Sequence, residues 1–303
     1  MGRLLESLAP LEGGYETIVV DNGTGSRELE EAAAALDGCS VMRLESNLGY
    51  SRAVNLAARR AQGDALVLLN DDSVVDPGYV PRLIERLDPG SGIVMAAGVM
   101  RERSAPGLID TAGIELDRTL LAFDYLNGEP LEILDGPVPD PIGPSGAAAA
   151  FWRDSFLEAG GFDEALFAYL EDVDMVLRLR ALGGSCSLAS DARGTHQHSA
   201  TLGLGSARKD YLMGYGRGYL LRKWSVLTAR RLPAVLIREL ALSAGQAVVD
   251  RNLGGMRGRA RGLRAGRAAV PYPAPAVRDP PSLAATLRRR WRRRARLRRG
   301  AGG

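Results

Sequence analysis

The 303-residue sequence is poor in cysteine: only Cys39 and Cys186 occur, far apart in the chain. Two lone cysteines make neither a disulfide framework nor a zinc-ligand spacing, so a reducing compartment is the default. No run of about 18 apolar residues is present, which excludes a bilayer-spanning helix. The N-terminus lacks a signal-peptide pattern. Histidine is nearly missing, with His196 and His198 alone, and there are no internal repeats. Little net charge is left over either, at +3, but this balance hides an asymmetry. Residues 201–303 hold 24 Lys and Arg against 4 Asp and Glu, while residues 1–200 hold 15 against 32. An acidic body with a basic tail divides the labour between polar chemistry and attachment to something anionic. Apolar residues make up 46 % of the chain, enough for a sizeable core and too many for global disorder.

What is present is an alternation of short apolar runs and helical patterns. Residues 17–20 (TIVV), 41–44 and 93–100 read as strands. Residues 65–69 (ALVLL) read as an inner parallel strand, because the run is apolar throughout. Residues 28–36, 51–62 and 77–87 read as helices, the last with Pro77 near its first turn. This order implies an α/β architecture with a mostly parallel sheet flanked by helices. Residues 101–144 lack a period and read as irregular loops or an antiparallel excursion. Residues 146–152 and 185–189 return to strand. Residues 154–159 and 170–182 are helical, the latter closed by Gly183 and Gly184. Beyond residue 203 a helical extension follows, with helices at 206–224 and 234–249. A Pro-rich linker (271–281) and an Arg-rich tail (282–303) complete the chain. The tail includes LRRRWRRRARLRR, nine arginines and a tryptophan.

Four segments carry candidate chemistry. In IVVDNGTGS (18–26), Asp21 and Asn22 end a strand where open α/β sheets bind ligands. Asp21 is suited to a base or ribose hydroxyl, or merely to capping its own turn. In NLGYSRAVNLAARRA (47–61), Gly49 opens a helix whose amides could face a phosphate, with Asn47, Arg52 and Asn55 beside it. An N-capped amphipathic helix explains the same pattern. In LVLLNDDSVVDPGYV (66–80), an apolar strand delivers Asn70, Asp71 and Asp72 to its end. Adjacent carboxylates repel unless a cation or donors satisfy them, and a hard divalent ion that also takes diphosphate oxygens fits. In GGFDEALFAYLEDVDMVLRLRALGG (160–184), Glu171, Asp172 and Asp174 crowd a helix start, more acid than the helix dipole requires. One of them could serve as a general base. Arg178 is spaced to pair with Asp174. His196, in GTHQHSAT (194–201), could complete a metal site built on Asp72, or be an ordinary loop histidine.

Taken in this order, the segments resemble family 2 glycosyltransferases of the GT-A fold, rhamnosyltransferase-like and galactofuranosyltransferase-like members in particular. The resemblance covers residues 4–201 and rests on VVDNGTGS, NLGYSRAVN, LLNDDSVVDPGY, GGFDEALFAYLEDVDMVLRLRALG and HQHSAT. It implies an inverting transfer from a nucleotide-sugar donor to a glycan or polyprenyl-linked acceptor. Mg2+ or Mn2+ is implied at Asn70-Asp71-Asp72, with Asp72 the direct ligand and His196 assisting. Nucleoside contact is implied at Asp21, and catalysis at Glu171 and Asp172, with Asp172 the base. It places a GT-A domain at 1–203 and adds a first strand reading like VVIVTYN before residues 4–11 (LLESLAPL). That strand is missing from this chain, so either the start lies upstream or the nucleoside pocket is incomplete. The basic tail suits an anionic membrane surface at the cytoplasmic face of the plasma membrane; no nucleic acid is expected. The competing readings are a degenerate donor-binding scaffold and a nucleotidyltransferase, though the latter's Gly-rich basic phosphate loop is absent.

Overall fold

The computed structural model describes residues 2–9, 14–146, 148–196, 206–249 and 251–275. Helix α1 (Gly2–Leu8) leads into β1 (Thr17–Asn22), α2 (Arg27–Ala34), β2 (Cys39–Leu44), α3 (Tyr50–Arg60), β3 (Ala65–Leu69), β4 (Ser73–Val75), α4 (Tyr79–Ile84) and β5 (Ile93–Glu102). The aperiodic stretch forms an antiparallel excursion of β6 (Ala105–Thr111), β7 (Ile114–Leu116) and β8 (Ala122–Asp124). Next come β9 (Ala148–Trp152), α5 (Arg153–Glu158), α6 (Glu171–Ala181) and β10 (Ser185–His196). Helices α7 (Ala207–Lys223), α8 (Leu232–Val249) and α9 (Gly254–Ala265) follow.

The sheets are mixed, with fewer parallel pairings than the alternation implies. β1 and β2 pair in parallel as a two-stranded sheet. The six-stranded sheet runs β3-β9-β5-β10-β4, with β6 paired to β5. Within it only β5 and β10 are parallel. Residues 65–69, read as an inner parallel strand, pair antiparallel with β9, Leu69 opposite Ala148. An apolar run does not declare its own direction; the connection does. The chain leaves β5 at one rim, makes its excursion there and re-enters through β9 from the same rim. The C-terminal ends of β3, β5 and β10 and the N-terminal end of β9 therefore share one edge.

Burial follows the strand period of two. Met95, Ala97 and Val99 of β5 belong to one hydrophobic cluster with Val173, Val176 and Leu177 of α6. Ala96 and Met100 belong to the opposite cluster with Tyr79, Val80 and Leu83 of α4. Helix α7 adds Tyr219, Leu220 and Leu221 to the first cluster, and Trp224 follows them. The C-terminal helices are thus part of the same core rather than an appendage.

Helix α9 has no clear sequence signal, because glycines at 254, 255, 258 and 262 disfavour helix. Here Gly258 and Gly262 permit close approach: a Cβ on either would overlap the α7 backbone at Tyr211 or Tyr215. Residues 271–275 of the Pro-rich stretch are docked. Tyr272 N donates to Lys223 O (2.7 Å), and its ring lies 4.6 Å from that of Trp224. The basic tail, His198 and Thr201 lie outside the described residues. Among the described residues no helix is long and apolar enough to cross a membrane.

Candidate active site

β3 carries Asn70, Asp71 and Asp72 to the shared edge, with Asp71 exposed and Asp72 largely covered. The chain then reverses into β4, whose Ser73 pairs with His196 at the end of β10. This brings His196 Nε2 to 3.0 Å from Asp72 Oδ1. On the other side of the ring, Nδ1 lies 3.3 Å from Oδ2 of Asp110, a fully buried residue of β6. Burial pulls the imidazole pKa down, but the hydrogen bonds to Asp110 and Asp72 outweigh it and push it up to about 9. A cavity of about 230 Å3 opens beside this chain of groups, lined by Arg3, Asp72, Val74, Arg103, Thr195 and His196. Asp110 was not identified from the sequence, since it stands alone in the aperiodic stretch.

The second half of the site is the start of α6. Tyr169 and Leu170 both adopt positive φ (71° and 69°), a strained choice for residues with a Cβ. The turn they form sets the first-turn acids at the edge. Asp172 Oδ2 accepts from Gly146 N (3.0 Å), two residues before β9, and Oδ1 accepts from Val173 N (2.8 Å). Glu171 is 6 % exposed, and its Oε2 has no hydrogen-bond partner among the described residues. Burial, reinforced by Asp172, raises the Glu171 pKa to about 8. Burial also raises that of Asp172, against the pull of the Gly146 and Val173 amides. The two acids titrate as a pair, both held above the ordinary carboxylate range, with the amides of Gly146 and Val173 favouring the charged form of Asp172. The Tyr169 phenol is raised by burial and by the charges of Glu171 and Asp72, so both halves of the site act on one ring.

The remaining residues singled out from the sequence divide. Asp21 is buried and turned onto its own turn, accepting from Thr24 N (2.8 Å), Thr24 Oγ1 (2.6 Å) and Gly25 N (3.0 Å). The Thr24 hydroxyl, above all, holds its pKa down. Asn22 Oδ1 accepts from Leu48 N (2.8 Å) and Nδ2 donates to Gly49 O (3.2 Å); Asn47 Oδ1 accepts from Gly49 N (3.0 Å). Gly49 itself has φ +87°, and a Cβ there would overlap the Phe167 carbonyl. These residues build the strand-end turns. Asn55 is buried and clamps the 160–164 turn through Phe162 N and O (2.7 and 2.8 Å) and Glu164 Oε1 (3.2 Å). Arg52 is exposed, 3.7 Å from Glu164. Asp174, third of the helix-start acids, turns into the core. It accepts from Arg178 Nε (2.8 Å), as its spacing predicts, and also from Lys223 Nζ (2.8 Å) and Trp224 Nε1 (2.9 Å).

Comparison with known proteins gives this edge a context. Residues 1–112 match the family model described as Glycosyl transferase family 2. That match spans well under half of the chain. Among curated relatives, the chain is 35 % identical over 119 residues to the undecaprenyl-phosphate 4-deoxy-4-formamido-L-arabinose transferase of Pseudomonas paraeruginosa. That match covers 37 % of this chain and 35 % of the relative. It is 26 % identical over 228 residues to the N-acetylglucosaminyl-diphospho-decaprenol L-rhamnosyltransferase of Mycobacterium tuberculosis, covering 66 % of this chain and 73 % of that one. Among solved structures, it resembles the crystal structure of GalNAc-T7 with UDP, GalNAc and Mn2+ at a TM-score of 0.58. The identity there is 17 %, over 73 % of this chain and 44 % of that chain. The architecture is the GT-A glycosyltransferase fold.

The match to this family model raises the question of a metal. Among the described residues no group of three or more His, Cys, Asp or Glu side chains is arranged to hold one. The Asp72–His196 pair fits as a partial set. Asp110 on Nδ1 orients the ring, and a metal-bound Nε2 would have to be free of its proton. One carboxylate and one imidazole would suit Mn2+ at least as well as Mg2+.

Proposed function

We propose that this family 2 domain transfers a sugar from a nucleotide-sugar donor to a hydroxyl of a lipid-linked or polysaccharide acceptor, with inversion at the anomeric carbon. The observation that carries this reading is the meeting, at one sheet edge, of a buried acid pair and an Asp–His–Asp chain beside an Arg-flanked cavity. Asp172, ionised and held by the Gly146 and Val173 amides, takes the proton of the attacking hydroxyl. Burial holds its pKa above the ordinary carboxylate range, the direction that strengthens a base. Glu171, the protonated partner, keeps a second negative charge away from Asp172.

Asp72 and His196 would hold a divalent ion, which when bound would supply charge neutralisation of the leaving diphosphate. Arg3 and Arg103 add positive charge on the same cavity. The residues that build the strand-end turns, Asp21 and Asn22 with Asn47 and Gly49, shape the donor's approach. The named relatives make rhamnose and formamido-arabinose two sugars to try first, galactofuranose a third, and polyprenyl-phosphate-linked acceptors the first acceptors. The basic tail (282–303) would bring the domain to the membrane that carries such acceptors.

The test is release of nucleoside diphosphate from a panel of nucleotide-sugars with the full chain, with and without Mn2+. Metal-dependent release that vanishes in Asp172→Asn while donor-induced thermal stabilisation persists supports the assignment. Undiminished turnover in Asp172→Asn refutes it. Donor binding without any transfer or hydrolysis would favour a scaffold that has lost its chemistry.

A further inference from the structure

Helix α8 is built inside out. Its polar side chains face the protein. Arg238 pairs with buried Asp117 (2.5 Å) and Glu239 with Arg217 and Arg259 (2.7 Å each). Gln246 meets Asp210 (3.5 Å) and Arg259 (2.9 Å). Of the apolar side chains described on this helix, Val235 alone is fully buried, at 2 % exposed. Ala234 and Leu242 are half-buried, and the others look outward: Leu232 is 39 % exposed, Leu236 52 %, Ile237 66 % and Leu240 70 %, with Ala241 and Ala244 also exposed. At 3.6 residues per turn these positions share one face, and no charged residue described on the helix lies on it. An ordinary surface helix shows the reverse arrangement. An uncharged apolar face of this kind marks a surface that something covers.

The surroundings specify the cover. Arg230 and Arg251 stand exposed at the two ends of the helix, and Leu253 and Met256 extend the exposed apolar surface just past its C-terminal end. Among the described residues from 206 to 275, every exposed charged side chain is an arginine; Asp210 and Glu239 are turned inward. We infer that this face of α8 docks into the interface of an anionic lipid bilayer, the helix lying in the membrane plane. Its leucines and isoleucine enter the acyl boundary and the arginines meet lipid phosphates. Among the described residues this rim carries one charge sign, which matches a surface of uniform opposite sign. A second copy of the chain would instead set arginines against arginines. Arg238 and Glu239 on the inner face exclude a spanning role.

This docking is independent of sugar transfer and uses a folded surface distinct from the basic tail. It is tested by flotation of the full chain with vesicles of phosphatidylglycerol and phosphatidylcholine, and of phosphatidylcholine alone. The expected result is binding that prefers the anionic vesicles. Leu236→Gln/Ile237→Gln/Leu240→Gln in the full chain should weaken it about tenfold or more, with circular dichroism unchanged. Arg230→Gln/Arg251→Gln, which keeps the apolar face, should weaken it by about fivefold per arginine and only on anionic vesicles. Wild-type binding by the triple variant overturns the proposal and leaves the tail as the anchor. So does a wild-type dimer that the triple variant converts to monomer, which would make a second copy the cover.

Discussion

Two sets of carboxylates lie within one turn of α6 and meet opposite fates. Asp174 is wholly buried and receives three donors, from Arg178, Lys223 and Trp224, so that it fastens α6 to the end of α7. Glu171 is nearly as buried, but one of its oxygens has no donor, and its neighbour Asp172 depends on two backbone amides. A buried carboxylate surrounded by donors is a structural fastener. A buried carboxylate pair short of donors stores unfavourable charge, and that imbalance raises its proton affinity into the range useful for base catalysis.

The comparison can be broken by exchanging the two outcomes. Asp172→Asn should lower kcat by about 10^3- to 10^4-fold, near the top of what a general base contributes, and leave the melting temperature almost unchanged. A comparable loss of stability would make Asp172 a second fastener. Asp174→Ala takes the carboxylate from Arg178 in the core and leaves Lys223 with Asp163 alone, and should destabilise the fold by about 3 kcal/mol in urea unfolding. Little change there would mean that α7 is held by its apolar contacts alone. Asp110→Asn leaves Asp72 and His196 in place but loosens the ring's orientation. Mn2+ affinity, read by titration calorimetry, should drop about 10- to 100-fold, and an unchanged affinity would detach Asp110 from the site.

The smallest effect is the sign of the pH dependence of stability. The folded pKa of Glu171 lies near 8, against an ordinary value of 4.5. The folded state therefore binds the extra proton between those values, and stability declines as pH rises from about 4.5 to 8. Glu171→Gln should flatten that decline. Asp163 behaves in the opposite way: burial raises its pKa, but Lys223 and Tyr219 more than offset this and hold it below 3.8. Its contribution is present above 3.8 and is lost as pH falls through its lower folded value. An acid limb that shrinks in Asp163→Asn but persists in Glu171→Gln, with the decline toward pH 8 behaving the other way round, would separate the two groups cleanly.

Much of the site was legible because its residues sit at sequence boundaries: Asp72 at the end of an apolar run, Asp172 at a helix start, His196 as one of two histidines. Asp110 was not, since a single acid in an aperiodic loop carries no local signal. Asn55, read as facing a donor, instead clamps the 160–164 turn, and an amphipathic helix pattern cannot tell which polar residue faces a turn packed against it. Helix α9 escaped detection because the glycines that let it approach α7 are the residues that local propensity counts against a helix.

The linear order of residues was enough to establish the α/β alternation, the acidic body with its basic end, and the similarity of residues 1–112 to the glycosyl transferase family 2 model. Hydrophobic period and strand-end acids are local properties, readable from neighbours a few positions apart. Only the tertiary structure decided that β9 enters antiparallel, that Asp174 rather than Asp172 fastens the core, and that α8 turns its leucines outward. Each of those outcomes depends on partners dozens of residues away, and no local pattern encodes which face such a partner will cover.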